Sequence, residues 1–313
     1  MDHRPRYPVI VGPTAGGKTA LGVELAKRLV SPDGRAGQVV TADAYQIYRG
    51  LDIGTAKPTP DERDGVEHHL IDIVDLKDRF SVHDWLGRAD PLVRDLQAQG
   101  IRPVVVGGTN LYIKAFLDGL FKAPEPSREI RERVGAMDQP QRRAMLREAD
   151  PEAFGRIDGA DIRRTRRALE VYLQTGTPIS HLQRQWDAQQ PARPEAVLVG
   201  LEWAPEAINA RINRRVRLMV ERGLVEEARA LHESDAFGPQ SREAIGYKQL
   251  IAHFEGRCTL DEAIERIKID TRRFAKNQRT WLKRLRAREG SVWVRADGRG
   301  AGELGDEIVA RLG

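Results

Sequence analysis

Short apolar runs alternate with amphipathic stretches along the first third of the chain. Tyr7–Val11 reads as a buried strand, Lys18–Val30 as a helix and Gln38–Thr41 as another short buried strand. Ser81 is placed to cap a helix that runs to Gln99 and ends at Gly100, with a bend expected at Pro91. Arg102–Val106 is again strand-like, and Thr109–Asp118 again helical. Strands separated by helices in this way predict a parallel sheet covered on both faces.

From Pro124 the pattern changes. Pro124 and Pro126 break the chain, short charged segments of helical period follow to about Gln190, and Pro191 and Pro194 break it again before an apolar strand at Ala196–Leu201. Residues 122–195 therefore read as a helical insertion with proline-marked hinges, in a core made of residues 1–121 and 196–313. Beyond the insertion, Pro205–Arg222, Val225–Ser234, Ala244–Glu255 and Asp261–Arg288 are helical in period, with Thr259 as a cap, and Ser291–Val294 is a last short strand. The fold class is thus α/β: a parallel sheet flanked by helices, with an inserted helical domain.

Composition narrows the picture modestly. A 313-residue chain with 40% hydrophobic and 31% charged residues is that of a globular protein with ample core. No apolar run approaches the ~20 residues that span a bilayer, and Met1–Pro8 lacks a signal-peptide pattern. A single cysteine, Cys258, excludes an intrachain disulfide, reads as an inert thiol and fits a reducing cytoplasm. Net charge is +5. The cations gather at Arg163, Arg164, Arg166 and Arg167, at Arg211, Arg214, Arg215 and Arg217, and along Arg272–Arg288 with almost no acids between them. Solvated helix faces usually mix signs, so this grouping points to a polyanionic partner. Trp281, inside the third group, is a candidate for stacking on a base, with packing as the default reading.

The strongest chemical signal is Gly12-Pro13-Thr14-Ala15-Gly16-Gly17-Lys18-Thr19, lying between the first strand and the first helix. That context makes it a phosphate-binding P-loop. Its backbone N–H groups and the helix start would cradle a di- or triphosphate, Lys18 would add a point charge, and the Thr19 hydroxyl would ligate Mg²⁺. Asp43 follows the second strand, expected to lie beside the strand that carries the P-loop. It reads as a general base, a Mg²⁺ ligand or a loop cap. In Gly50–Pro58, Gly54 and Thr55 suit a tight loop and Lys57 is within reach of an anion; alone, the stretch is an ordinary surface loop.

Val104-Val105-Val106-Gly107-Gly108-Thr109 departs from the usual nucleotide hydrolase, whose strand ends near here in an aspartate for Mg²⁺. A Gly-Gly-Thr end favours group transfer instead. His68-His69 precede strand-like Leu70–Ile73 and, pointing to opposite faces, read as structural rather than as a metal site.

Together these strings resemble the tRNA dimethylallyltransferase family. The resemblance rests on GPTAGGKT at Gly12–Thr19, Asp43-x-x-Gln46-x-Tyr48, GLDIGTAKP at Gly50–Pro58, VGGTNLY at Val106–Tyr112, RRALEVYLQTGTPIS at Arg166–Ser180, the Arg211–Met219 helix and AIGYKQL at Ala244–Leu250. It implies a P-loop NTPase-like fold and transfer of a dimethylallyl group from dimethylallyl diphosphate to N6 of the adenosine 3′ of the anticodon, position 37, with Mg²⁺. Gly12–Thr19 would hold the diphosphate, Asp43 would act as base on the adenine amine, Thr109 would sit near the reacting groups and Arg215 would neutralise the diphosphate. Contacts to tRNA would fall on Asp43, Ala44, Tyr45 and Gln46, on Thr109 and Arg131, on Arg163, Arg164, Thr165, Arg166 and Arg167, and on Gly246, Tyr247 and Lys248. The chain carries Ala44 where the family usually has serine. The resemblance further implies a cytoplasmic monomer that binds the tRNA anticodon stem-loop and no membrane. Read without it, the same residues also suit a P-loop kinase of small molecules or nucleotides, or a nucleotide-regulated RNA-binding protein.

Overall fold

The computed structural model describes residues 5–120, 125–187 and 192–312. Lys122, Pro124 and Pro191, expected to mark the edges of the insertion, lie outside these residues. Contacts divide the chain into two compact units, Met1–Ala115 with Arg193–Gly313, and Phe116–Ala192.

In chain order the first unit begins with β1 (Tyr7–Val11), α1 (Lys18–Arg28), β2 (Gln38–Ala42), α2 (Pro60–Arg63), β3 (His68–His69), α3 (Val82–Ala98) and β4 (Pro103–Gly107); α4 (Asn110–Asp118) runs across the division. The second unit holds α5 (Arg128–Ala136), α6 (Gln139–Ala149), α7 (Pro151–Arg156), α8 (Ile162–Thr175) and α9 (Ile179–Asp187). The first unit resumes with β5 (Ala196–Glu202), α10 (Pro205–Glu221), α11 (Leu224–Glu233), α12 (Tyr247–Phe254), α13 (Leu260–Leu285), β6 (Val292–Arg295) and α14 (Ala301–Leu312). Among the described residues no helix is long and apolar enough to cross a membrane.

The six strands form one parallel sheet in the order β3-β2-β4-β1-β5-β6. Its central strands are buried on both faces, which is why they read as unbroken apolar runs. On one face α1 and α14 close a core of Ile10, Leu21, Leu25, Val199, Val294, Leu304 and Ile308. The caps behave as the sequence predicts: Ser81 and Thr259 each form a capping box, with Asp84 and Glu262 returning the bond. The second unit packs around Val134, Leu146, Ala153, Leu169 and Val171. Buried Asp150 ties two of its helices by accepting from Ala153 N at 2.9 Å and Ser180 N at 2.9 Å.

Several expectations are corrected. The strand near the histidines is His68–His69 itself, paired with β2, while Leu70 and Asp72 turn the chain with left-handed φ of 62° and 57°. His68 Nδ1 meets Val66 O and His69 Nε2 meets the Gln38 amide, so each histidine has its own structural partner. The helix placed at Ala244–Glu255 starts only at Tyr247, because Gly246 has a φ of 105° that no helix continues. Finally, β2 does not lie beside β1: β4 separates them.

That separation depends on Gly107. In the register Ala42↔Gly107, a Cβ on Gly107 would sit 2.2 Å from the Ala42 carbonyl oxygen, and a backbone atom cannot turn aside. Gly107→Ala gains at most about 1 kcal/mol from a stiffer unfolded chain. Forcing β2 and β4 apart should cost more, roughly 1–3 kcal/mol. We expect a lower melting temperature for Gly107→Ala; an unchanged or raised one in a thermal melt would show the strands to be less tightly apposed.

Candidate active site

The P-loop, the Asp43 turn and the Gly-Gly-Thr stretch leave the carboxyl ends of the parallel strands β1, β2 and β4, the edge where open α/β sheets bind ligands. The P-loop turns from β1 into α1. Ala15 and Gly17 hold left-handed φ of 60° and 83°. Two neighbours brace it from outside, Arg211 donating its Nε to Ala15 O at 2.9 Å and Trp203 its Nε1 to Gly16 O at 3.1 Å. Arg211 also stacks on the Trp203 ring, 4.6 Å from its centroid. The Ala15 and Gly16 carbonyls are thereby engaged, which fixes the course of the loop.

Lys18 folds back over the loop, donating to Gly12 O at 3.1 Å and Pro13 O at 2.9 Å. Burial pushes its ammonium down to about 8, with help from the neighbouring Arg215 and opposition from Asp43. Burial likewise lowers the Arg215 guanidinium, against the stabilising charges of Asp43 and Glu62. Lys18, Arg215 and Asp43 thus feel one another's charge. Thr19 stands in the first turn of α1, half-buried.

The Asp43 carboxylate divides its two oxygens. Oδ1 caps the turn after β2, accepting from Tyr45 N at 2.9 Å and Gln46 N at 3.2 Å. Oδ2 takes no hydrogen-bond partner among the described residues, so the group caps a loop and still offers a free lone pair. Thr109, just past β4, accepts the Ala44 N–H on its hydroxyl at 3.0 Å. Its own proton stays free to donate. The β2 and β4 ends are therefore tied to each other, and Ala44 contributes through its backbone rather than its methyl group.

The Gly50–Pro58 loop is held from beneath. Glu227 accepts the N–H groups of Ile53 at 3.0 Å and Gly54 at 3.3 Å, and the Tyr247 hydroxyl at 2.5 Å. Tyr247 is fully buried, and a Cβ on Gly54 would lie 2.4 Å from its ring. The loop in turn accepts the Gln46 amide on Thr55 O and Ala56 O at 3.1 and 3.2 Å. Lys57 is buried, not poised for an anion: its three donors go to Tyr48 O, Asp52 and Asp72.

The residues expected to touch tRNA fall into distinct settings. Asp43, Ala44, Tyr45 and Gln46 are half-buried at the sheet edge, and Thr109 is beside them. Tyr247 lies under the loop, Gly246 begins α12, and Lys248 is exposed and paired with Glu243. In the second unit Arg131, Arg163 and Arg164 are exposed and Arg166 and Arg167 half-buried; Arg131 pairs with Glu125 and Arg164 with Asp161. Thr165 faces inward, fully buried, its hydroxyl bonded to Asp161 O at 2.8 Å.

Sequence reasoning missed Gln278, Glu227 and Trp203. Gln278 reaches from α13 to Thr14 N at 2.8 Å and Gly108 O at 2.8 Å. Its signal was present: it shares the buried stripe of Ala275, Leu282 and Leu285, where an amide is out of place unless bonded. Glu227 carries no such signal.

A family model described as IPP transferase matches residues 46–285. A tRNA dimethylallyltransferase of Geobacillus kaustophilus is 44% identical over 285 residues, covering 89% of this chain and 87% of that relative. The crystal structure of a full-length tRNA isopentenylpyrophosphate transferase from Bacillus halodurans aligns with a TM-score of 0.70 at 37% identity, over 98% of this chain and 96% of the other. Crystallographic snapshots of a eukaryotic dimethylallyltransferase acting on tRNA align with a TM-score of 0.80 at 25% identity, over 98% and 80%. These likenesses set aside a kinase and a non-catalytic RNA-binding protein, and the chain belongs to the IPP transferase family.

Proposed function

We propose that the chain transfers the dimethylallyl group of dimethylallyl diphosphate to N6 of the adenosine immediately 3′ of the anticodon in tRNA. The observation that carries this reading is the pairing of a cationic phosphate cradle at β1 with a half-free carboxylate at β2, across a neutral Gly-Gly-Thr ledge at β4. Two cations beside the cradle suit a diphosphate that leaves with an electron pair. One carboxylate oxygen without a partner suits a proton acceptor for an amine.

In this reading N6 bonds to the allylic C1 while the C1–O bond to diphosphate breaks, and the N6 proton passes to Asp43. Gly12–Thr19, Lys18 and Arg215 stabilise the charge that gathers on the leaving oxygens. The Thr109 hydroxyl proton points an available donor at the same edge. Among the described residues no cluster of three histidine, cysteine or acidic side chains offers a metal cage. The donors present fit Mg²⁺ held by the Thr19 hydroxyl, diphosphate oxygens and water, the arrangement usual for this ion. Bound there, it would offset charge on the diphosphate. Exposed arginines of the second unit (Arg131, Arg163 and Arg164) and the α13 cations Arg273, Lys276, Lys283 and Arg284 supply contacts to the phosphates of the anticodon stem. The target base leaves its stack in the loop, at a cost of a few kcal/mol.

Nucleoside mass spectrometry on tRNA treated with the protein, dimethylallyl diphosphate and Mg²⁺ should reveal N6-dimethylallyladenosine, and ATP should not replace the prenyl donor. Asp43→Ala should slow transfer by roughly 10²–10⁴-fold while tRNA affinity is kept. An Asp43→Ala protein that transfers at the normal rate would remove Asp43 from the chemistry.

The lowered Lys18 ammonium gives a pH test. In the free protein its charge is half lost at about 8, fuller below that value and lost as pH rises through it. Above it, diphosphate must bind together with a proton, so affinity should weaken by up to about tenfold per pH unit. Calorimetric titration of inorganic diphosphate between pH 7 and 9.5 should show this weakening with proton uptake. Lys18→Met should bind weakly at every pH and show only the slope that the diphosphate's own titration gives.

A further inference from the structure

Gln278 lies where the two halves of the site meet. The side chain is 2% exposed and comes from the long helix α13, which forms no part of the phosphate loop. Its Oε1 accepts the Thr14 N–H at 2.8 Å and its Nε2 donates to Gly108 O at 2.8 Å. A Cβ added to Gly108 would fall 2.9 Å from that Nε2 and 3.6 Å from Lys18 Nζ. Amide, ammonium and ledge therefore share one small volume.

The consequence follows from the strand order. The cradle is on β1 and Asp43 on β2, with β4 between them, so their spacing is set by whatever fixes each to the β4 end. On the β2 side this is Thr109, whose hydroxyl holds the Ala44 N–H at 3.0 Å. On the β1 side it is Gln278. A planar amide has its donor and acceptor at fixed separation, so a bond from each end pins Thr14 against Gly108 more firmly than a single contact would. Displacement at carbon needs the attacking and departing atoms in line at about 3–3.5 Å, where an error of 1 Å costs ~10²-fold in rate.

We propose that Gln278 is a positioning residue that sets the distance between the diphosphate cradle and the Asp43 turn without touching either substrate. The inference rests on the transferase reading above. Wild-type formation of N6-dimethylallyladenosine tests that reading, and the variants below test Gln278 only once it has passed.

Gln278→Met keeps the length of the side chain and removes both bonds. It should lower the single-turnover transfer rate by about 10²-fold while the KM for each substrate and inhibition by inorganic diphosphate move little. Gln278→Glu separates geometry from folding. As a carboxylate it keeps the Thr14 bond but opposes the Gly108 carbonyl; protonated, it donates to Gly108 O as the amide does. Its rate relative to wild type should thus climb as pH falls, by up to about tenfold per unit, until the carboxyl is protonated. A Gln278→Met enzyme with an undiminished rate per folded molecule, or with only a raised KM, would overturn the proposal. So would a Gln278→Glu to wild-type ratio that stays flat with pH, the one decisive result if Gln278→Met does not fold.

Discussion

The contact of β2 with β4 at Ala42 and Gly107 constrains everything built above it. The two backbones come so close that β4 has no room for a side chain there, and the next residues, Gly108 and Thr109, inherit a narrow path between the two working loops. Parallel strands are spaced by about 4.8 Å, so the cradle strand and the Asp43 strand stand roughly 10 Å apart. A narrow β4 end leaves that span open. Thr109 and Gln278 then bond across it from opposite sides, one reaching Ala44 and the other Thr14. The site is assembled on the backbone of a strand that itself supplies only one functional hydroxyl.

Charge in this span is arranged ahead of any ligand. Lys18 and Arg215 both give up some proton affinity to burial, and Asp43 returns part of it. Two poorly hydrated cations near one carboxylate form a site whose unmet demand is for negative charge. Lys18 donates to the carbonyls of Gly12 and Pro13. These are hydrogen bonds to neutral acceptors, weaker than those a charged acceptor forms. Arg211 acts differently. Bonded to Ala15 O and stacked on Trp203, it keeps the loop's shape rather than its charge.

Local chemistry was legible in the sequence where it is written in consecutive residues. The P-loop, the Ser81 and Thr259 caps and the Gly-Gly-Thr strand end all declare themselves within eight residues or fewer. Sheet order does not, since strand pairing is decided by crossovers tens of residues long; Asp43 was therefore expected one strand too close to the cradle. Helix α14 escaped notice because Gly298, Gly300, Gly302 and Gly305 suggest a loop. Its Leu304, Ile308 and Leu312 stripe becomes meaningful only against α1, where Arg28 lies beside Gly302 and Gly305. Lys57 looked like an anion ligand because nothing in its own string shows that it is buried; Asp52 lies five positions away, but Tyr48 O and Asp72 reach it only through the fold.

The clustered cations show why charge counts need a structure to divide them. Read along the chain, Arg211, Arg215 and Arg272 belong to the same excess as Arg273, Lys276 and Lys283. In the fold, Arg211 braces the P-loop, Arg215 is lowered by burial near Asp43, and Arg272 is bonded to Asn213 at 2.5 Å. Arg273, Lys276, Lys283 and Arg284 remain exposed on α13. The sequence signal for a polyanion thus combined two kinds of cation: those bonded or half-buried beside the P-loop and Asp43, and those exposed on α13 in high dielectric. Inward groups carry strength through desolvation, whereas outward groups act additively and weaken with salt. A surface of the second kind tolerates loss of one lysine more readily than the Lys18–Arg215 pair tolerates loss of either member.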